Sequence, residues 1–100
     1  MSGGAVADTG GAAELEKLAA ELDGRVYAVT LVTSAGRRPC LSITNRQATQ
    51  LTEYIYAAPA DDGAWWYWWG WAQRIVPVAD LTGAVAAIDR VLRILSGGNR

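Results

Sequence analysis

The chain has 100 residues, of which 51% are hydrophobic, and its formal net charge is −1. This composition indicates one folded domain, and the charge balance disfavours nucleic acid or an anionic membrane surface as a partner. The sequence has no histidine and a single cysteine, Cys40, which excludes an intramolecular disulfide and a Cys/His zinc site. The absence of histidine also removes the commonest general base in enzymes.

The longest apolar run falls far short of the roughly 18 residues that a membrane-spanning helix needs. The N-terminus lacks the charged and apolar regions of a signal peptide, so we expect a cytoplasmic protein. Residues 1–11 are small and Gly-rich without periodicity, and residues 96–100 are polar. We therefore expect two disordered tails around a single domain over residues 12–95.

An amphipathic helix is predicted near each end of the domain. Over residues 12–22 the apolar side chains follow the spacing of one helix face, and Gly24 stands at a suitable stop. The second helix is predicted to begin after Asp80, whose side chain is a suitable N-cap. The two predicted stripes are Leu15, Leu18, Ala19 and Leu22, and then Leu81, Val85, Ile88, Leu92 and Leu95.

Four strands are predicted between these helices. Residues 25–33 and 39–45 favour strands, and the turn between them contains Gly36, which can adopt positive φ. Residues 46–53 fit a strand, a turn or a helix. We favour a turn followed by a third strand from about residue 51 to 58, which joins the fourth through the Asp61-Asp62-Gly63 turn.

The fourth predicted strand contains six of the nine aromatic residues and runs to Pro77. Aromatic side chains favour strands, and successive side chains in a strand point to opposite faces. One face becomes polar at Arg74, so we interpret it as the outer face, with Trp66 and Trp68. The opposite face is predicted to join the core through Trp65, Tyr67, Trp69, Trp71 and Ile75.

These elements predict an α+β fold of the two-layer sandwich type. Its sheet is a four-stranded antiparallel meander flanked by an N-terminal and a C-terminal helix, in the order α-β-β-β-β-α. Two amphipathic helices cover only one face of such a sheet. The other face then holds Trp66, Trp68, Tyr54 and Tyr56. Three alternatives remain for what covers these side chains: a segment of the same chain, a protein partner, or an apolar ligand.

Residues that carry chemistry are few. Cys40 has no histidine to activate it, the adjacent Asp61 and Asp62 are typical turn residues, and no phosphate-binding glycine motif occurs. Arg37, Arg38 and Arg46 could cluster at one end of the sheet near aromatic rings, which would suit single-stranded nucleic acid, but the overall charge argues against it. We therefore expect a protein that is not an enzyme and that has no metal site or cofactor.

The segment WWYWWGWAQRIVP, before an aspartate cap and an Ala/Val-rich helix, resembles a group of small uncharacterised actinobacterial proteins. Their aromatic run has the form W-x-W-W-x-W-A-x-x-I. The resemblance covers roughly residues 51–95 and implies a strand followed by a helix in a bacterial cytoplasmic protein. It implies no functional residue.

Two functional hypotheses follow. The first is an interaction module, a homo-oligomer or a binder of another protein, that uses Tyr54, Tyr56, Trp66, Trp68 and Arg74. The second is a small-molecule binding protein with a Trp/Tyr-lined apolar groove between sheet and helices. Neither hypothesis involves a membrane or nucleic acid.

Overall fold

The structure, a computed structural model, describes residues 11–93 apart from the side chain of Arg93. The predicted tails lie outside the described residues, except for Gly11, which is buried. The elements in chain order are α1 (Ala12–Glu21), β1 (Tyr27–Val32), β2 (Cys40–Asn45), β3 (Ala48–Pro59), β4 (Trp65–Trp69), β5 (Arg74–Pro77) and α2 (Leu81–Ile88), which continues as a π-helical turn over Asp89–Arg93.

The α+β class and the antiparallel meander are confirmed, but the sheet has five strands in the order β1-β2-β3-β4-β5 rather than four. β3 begins at Ala48, so the ambiguous residues 46–53 belong mostly to a strand. The turn before β3 is shorter than predicted because the Asn45 side chain accepts a hydrogen bond from the Gln47 N–H at 2.8 Å. Within residues 11–93, no helix combines the length and the apolar character that crossing a bilayer requires.

The fifth strand arises because the predicted aromatic strand folds back on itself. β4 ends at Trp69, whose N–H donates to the Gln73 carbonyl at 2.8 Å and whose carbonyl accepts from the Ala72 N–H at 2.9 Å. Ala72 takes a φ of 70°, a left-handed conformation that is uncommon for a residue with a Cβ atom. After this turn, β5 pairs antiparallel with β4, with Trp68 opposite Arg74.

Both helices pack on the same face of the sheet, which we call the inner face. Alternate residues of the strands point to it, and the helices add their apolar stripes to form one core. The predicted N-cap is confirmed, since the Asp80 carboxylate accepts from the Gly83 N–H at 2.9 Å. The buried core residues are Leu15, Leu18, Leu22, Tyr27, Leu41, Ile43, Ile55, Ala57, Tyr67, Trp69, Ala84, Ile88 and Leu92.

Three polar contacts fix the helices on this face. The buried Tyr67 hydroxyl donates to the Glu14 carbonyl of α1 at 2.7 Å. The Tyr27 hydroxyl donates to the Asp89 carboxylate at 2.6 Å, and the buried Asn45 amide donates to the Leu92 carbonyl at 3.0 Å. Because these groups are paired, their burial carries no penalty for a lost hydrogen bond.

Candidate protein-interaction surface

The opposite face of the sheet, the outer face, carries the predicted aromatic side chains. Tyr54 is 47% exposed, and Tyr56, Trp66 and Trp68 are half-buried. None of the four belongs to the core or packs against it. The structure therefore places all four on the side of the sheet that the two helices leave uncovered.

The sheet register brings these side chains together in rows. Tyr56 lies opposite Trp68 on the adjacent strand, and Trp68 lies opposite Arg74. The Arg74 guanidinium carbon lies over the Trp66 ring, 4.7 Å from its centroid, which is a cation–π geometry. Arg74, predicted at this site, thus covers one indole and presents a positive charge at the edge of the outer face.

The indole of Trp68 is held in place by its neighbour strand. Its Nε1–H donates to the Ala58 carbonyl of β3 at 3.0 Å. This bond lays the ring across the adjacent strand and satisfies its single polar group. A partner that covers the ring therefore meets an apolar surface with no donor left to pair.

Two other indoles are more exposed than the alternation predicts. Tyr67 and Trp69 are buried as expected, at 0% and 6% exposure, but Trp65 and Trp71 are 37% and 51% exposed. Trp65 lies at the start of β4, with its ring beside Gly11 at the N-terminus of α1. Trp71 lies in the β4–β5 turn, where its ring stacks on Trp69 with centroids 4.9 Å apart and its Nε1–H donates to Gln73 Oε1.

The predicted core position of Trp71 is wrong because the strand ends two residues earlier, so the alternation no longer applies. Ile75, also predicted to face the core, is half-buried and packs against it from β5. Gly70 is the sequence signal for this break, since glycine inside a strand pattern marks a bulge or a bend.

A cleft of about 430 Å³ opens beside the aromatic rings, at the β1–β2 turn. Sequence reasoning missed it because the cleft depends on the pairing of β2 with β3, which sets Cys40 beside Tyr56. Proximity to the Cys40 thiol, and then partial burial, raises the pKa of Tyr56 above its ordinary value. The cleft is lined by Val32, Ser34, Arg37, Arg38, Cys40 and Tyr56.

Among the described residues, no three His, Cys, Asp or Glu side chains come together as a metal-binding group. Comparisons with protein-family models, with curated proteins and with solved structures find no match to this chain. The resemblance to the actinobacterial proteins therefore stays a prediction, and the functional argument depends on the geometry of the outer face.

Proposed function

We propose that this chain is a non-enzymatic protein-interaction module that associates with a second copy of itself through the outer face. The observation that carries the proposal is that the two helices cover only one face of the sheet. Both helices pack on the inner face, while four large aromatic side chains remain on the outer one. An apolar patch of this kind marks an interaction surface in a folded domain.

A second copy is favoured because the outer face is self-complementary in size. Its β3 and β4 half carries tyrosines and tryptophans, whereas its β1 and β2 half carries Thr30, Val32, Cys40 and Ser42. Large side chains of one copy can pack on the small side chains of the other. Interfaces with a twofold axis use the same surface on both subunits, which suits a face divided in this way.

The test is a sedimentation measurement over a range of protein concentrations. We expect the wild-type chain to show twice its monomer mass, and Trp68→Ala to weaken the association about tenfold or more, as for a central interface aromatic. Trp71→Ala is the matched control, since it removes an exposed indole from the β4–β5 turn. It should leave the dissociation constant unchanged.

Two further outcomes would contradict the proposal. A wild-type chain that stays monomeric at every concentration has no self-associating face. A chain that becomes dimeric only when residues 2–10 are deleted would mean that its own N-terminal segment covers the rings. Circular dichroism of each variant shows whether the fold persists.

The alternative, a small-molecule binding protein with an aromatic apolar groove, stays a prediction. The cleft beside Tyr56 is the observation that favours it, although this cleft lies on the outer face and contains two arginines. A titration of tryptophan fluorescence with apolar ligands tests it. Saturable binding to a monomer would favour this alternative over self-association.

A further inference from the structure

The two turns at one end of the sheet carry opposite charges. The β1–β2 turn contains Arg37 and Arg38, and the β3–β4 turn contains Asp61 and Asp62. The register sets both turns at the same end, because β2 starts and β3 finishes there, with Leu41 opposite Ile55. All four charged side chains are exposed.

None of the four forms an ion pair within the described part of the chain. The ion pairs there join Lys17 to Glu14 and Arg25 to Asp23. Arg38 is held by one hydrogen bond, from Nη1 to the Ala57 carbonyl at 3.3 Å. Arg37 and Arg38 both line the cleft of about 430 Å³.

We infer that the arginine turn of one copy, Arg37 and Arg38, meets the acidic turn of a second copy, around a twofold axis that runs parallel to the strands between the two facing outer faces, in line with the gap between β2 and β3. The inference rests on the proposed self-association and names its geometry. Rotation about this axis sets β1 of one copy over β4 of the other, and β2 over β3. The β1–β2 turn of each copy then meets the β3–β4 turn of its partner. The dimer therefore has two equivalent contacts, and in each of them Arg37 and Arg38 of one copy face the acidic turn of the other.

The same axis matches the side chains of the outer face by size. Rotation about this axis leaves each residue at the same level along the strands. Tyr56 of one copy therefore lies over Cys40 of the other, and Trp68 lies over Val32. A twofold axis across the strands would instead set β4 on β4 and β1 on β1. Large side chains would then meet large ones and leave voids elsewhere, which packed interfaces avoid.

Charge reversal tests the arrangement. One variant carries Arg37→Glu with Arg38→Glu, and a second carries Asp61→Lys with Asp62→Lys. In a homodimer of either variant, like charges meet at both turn-to-turn contacts, and we expect the association to weaken about 100-fold. In an equimolar mixture the two variants are opposite in charge at both contacts, so we expect heterodimers with near wild-type affinity.

A thiol cross-link supplies an independent distance. With strands about 4.8 Å apart and sheets about 10 Å apart, the axis separates the two Cys40 Cα atoms by about 11 Å. A short bismaleimide should therefore couple two wild-type chains, and Cys40→Ser should abolish the product. The yield should fall in each charge-reversed variant and return in the mixture.

The outcomes separate this inference from the proposed function. A wild-type dimer that Trp68→Ala dissociates but neither charge reversal affects would overturn the axis and leave the module standing. A monomeric wild-type chain would overturn both. If the mixture stays monomeric while inorganic phosphate binds the wild-type cleft and not the Arg37→Glu, Arg38→Glu variant, the cleft accepts a small anion and the inference is wrong.

Discussion

The inner and outer faces of the sheet receive aromatic side chains from the same strand, yet they differ in what covers those side chains. Tyr67 and Trp69 are enclosed by the core, and the Tyr67 hydroxyl is bonded to α1. Trp66 and Trp68, each one residue away, contact Arg74 and the Ala58 carbonyl, and neither belongs to the core of the described residues. Residue type therefore does not separate core from surface in this strand. The pleat of the strand and the position of two helices do.

The largest expected effect is on the inner face. Trp69→Ala should lower the free energy of unfolding by about 3–5 kcal/mol, because the change leaves a cavity in the core. Trp68→Ala removes the same ring from the outer face and should destabilise the monomer much less, although it weakens association. Urea denaturation of both variants at low protein concentration measures the difference. Equal losses would mean that the two faces are not distinct.

Asn45 tests whether a buried polar group stabilises the inner face. Asn45→Ala removes the donor to the Leu92 carbonyl and the acceptor of the Gln47 N–H, so we expect a loss of about 1–3 kcal/mol. Ser42→Ala on the same strand points to the outer face and should change stability by less than about 0.5 kcal/mol. A denaturation midpoint for Asn45→Ala equal to that of Ser42→Ala would contradict the role of this contact.

Tyr67 gives the inner face a dependence on alkaline pH. Burial, together with Glu14, raises the pKa of Tyr67 to about 12, from an ordinary value of 10.0. The folded state therefore retains the phenol proton more strongly than the unfolded state. Its contribution to stability is fully present below pH 10 and is lost as the pH rises towards 12.

The variant that tests this dependence is Tyr67→Phe. At neutral pH it should cost about 0.5–1.5 kcal/mol, the contribution of one hydrogen bond. It should also flatten the fall in stability between pH 10 and pH 12. Tyr54→Phe, on the outer face, is the matched control and should keep the wild-type slope. A parallel slope for Tyr67→Phe and Tyr54→Phe would show that Tyr67 does not cause the fall.

The smallest expected effect concerns Arg74. Arg74→Gln removes the charge over Trp66 while keeping much of the side-chain length, and should cost about 0.5–1 kcal/mol, as for exposed cation–π contacts. The fluorescence emission of Trp66 should shift when Arg74 is replaced. The shift caused by Arg74→Gln is measured in the wild-type chain and again in a chain that carries Trp66→Ala. An equal shift in the chain that lacks Trp66 would mean that another indole causes it.

Much of the fold follows from local patterns in the sequence. The helix stripes, the Asp80 cap and the turns at Gly36 and Gly63 are set by interactions between residues close in the chain. They are confirmed within the described residues, and Leu95 of the second stripe lies outside them. The fifth strand was not predicted. Gly70 marks a break in the strand pattern, but the strand pairing after it depends on a turn in which Ala72 adopts positive φ, and alanine has no local preference for that conformation.

The candidate site divides in the same way. The alternation along β3 and β4 predicted that Tyr54, Tyr56, Trp66 and Trp68 share a face, because the period of a strand is fixed by its backbone. The cleft was not predictable, since it is lined by residues of the β1–β2 turn together with Tyr56 of β3, which the pairing of β2 with β3 brings close.

Local sequence patterns set where chain segments become helical or extended and which side chains share a strand face, because backbone geometry and side-chain size act over a few residues. Only the tertiary structure decided which face the helices cover, where the aromatic segment reverses, and that an arginine turn and an aspartate turn stand at one end of the sheet. Those features arise from contacts between segments far apart in the chain, whose relative positions are set by packing of the whole core.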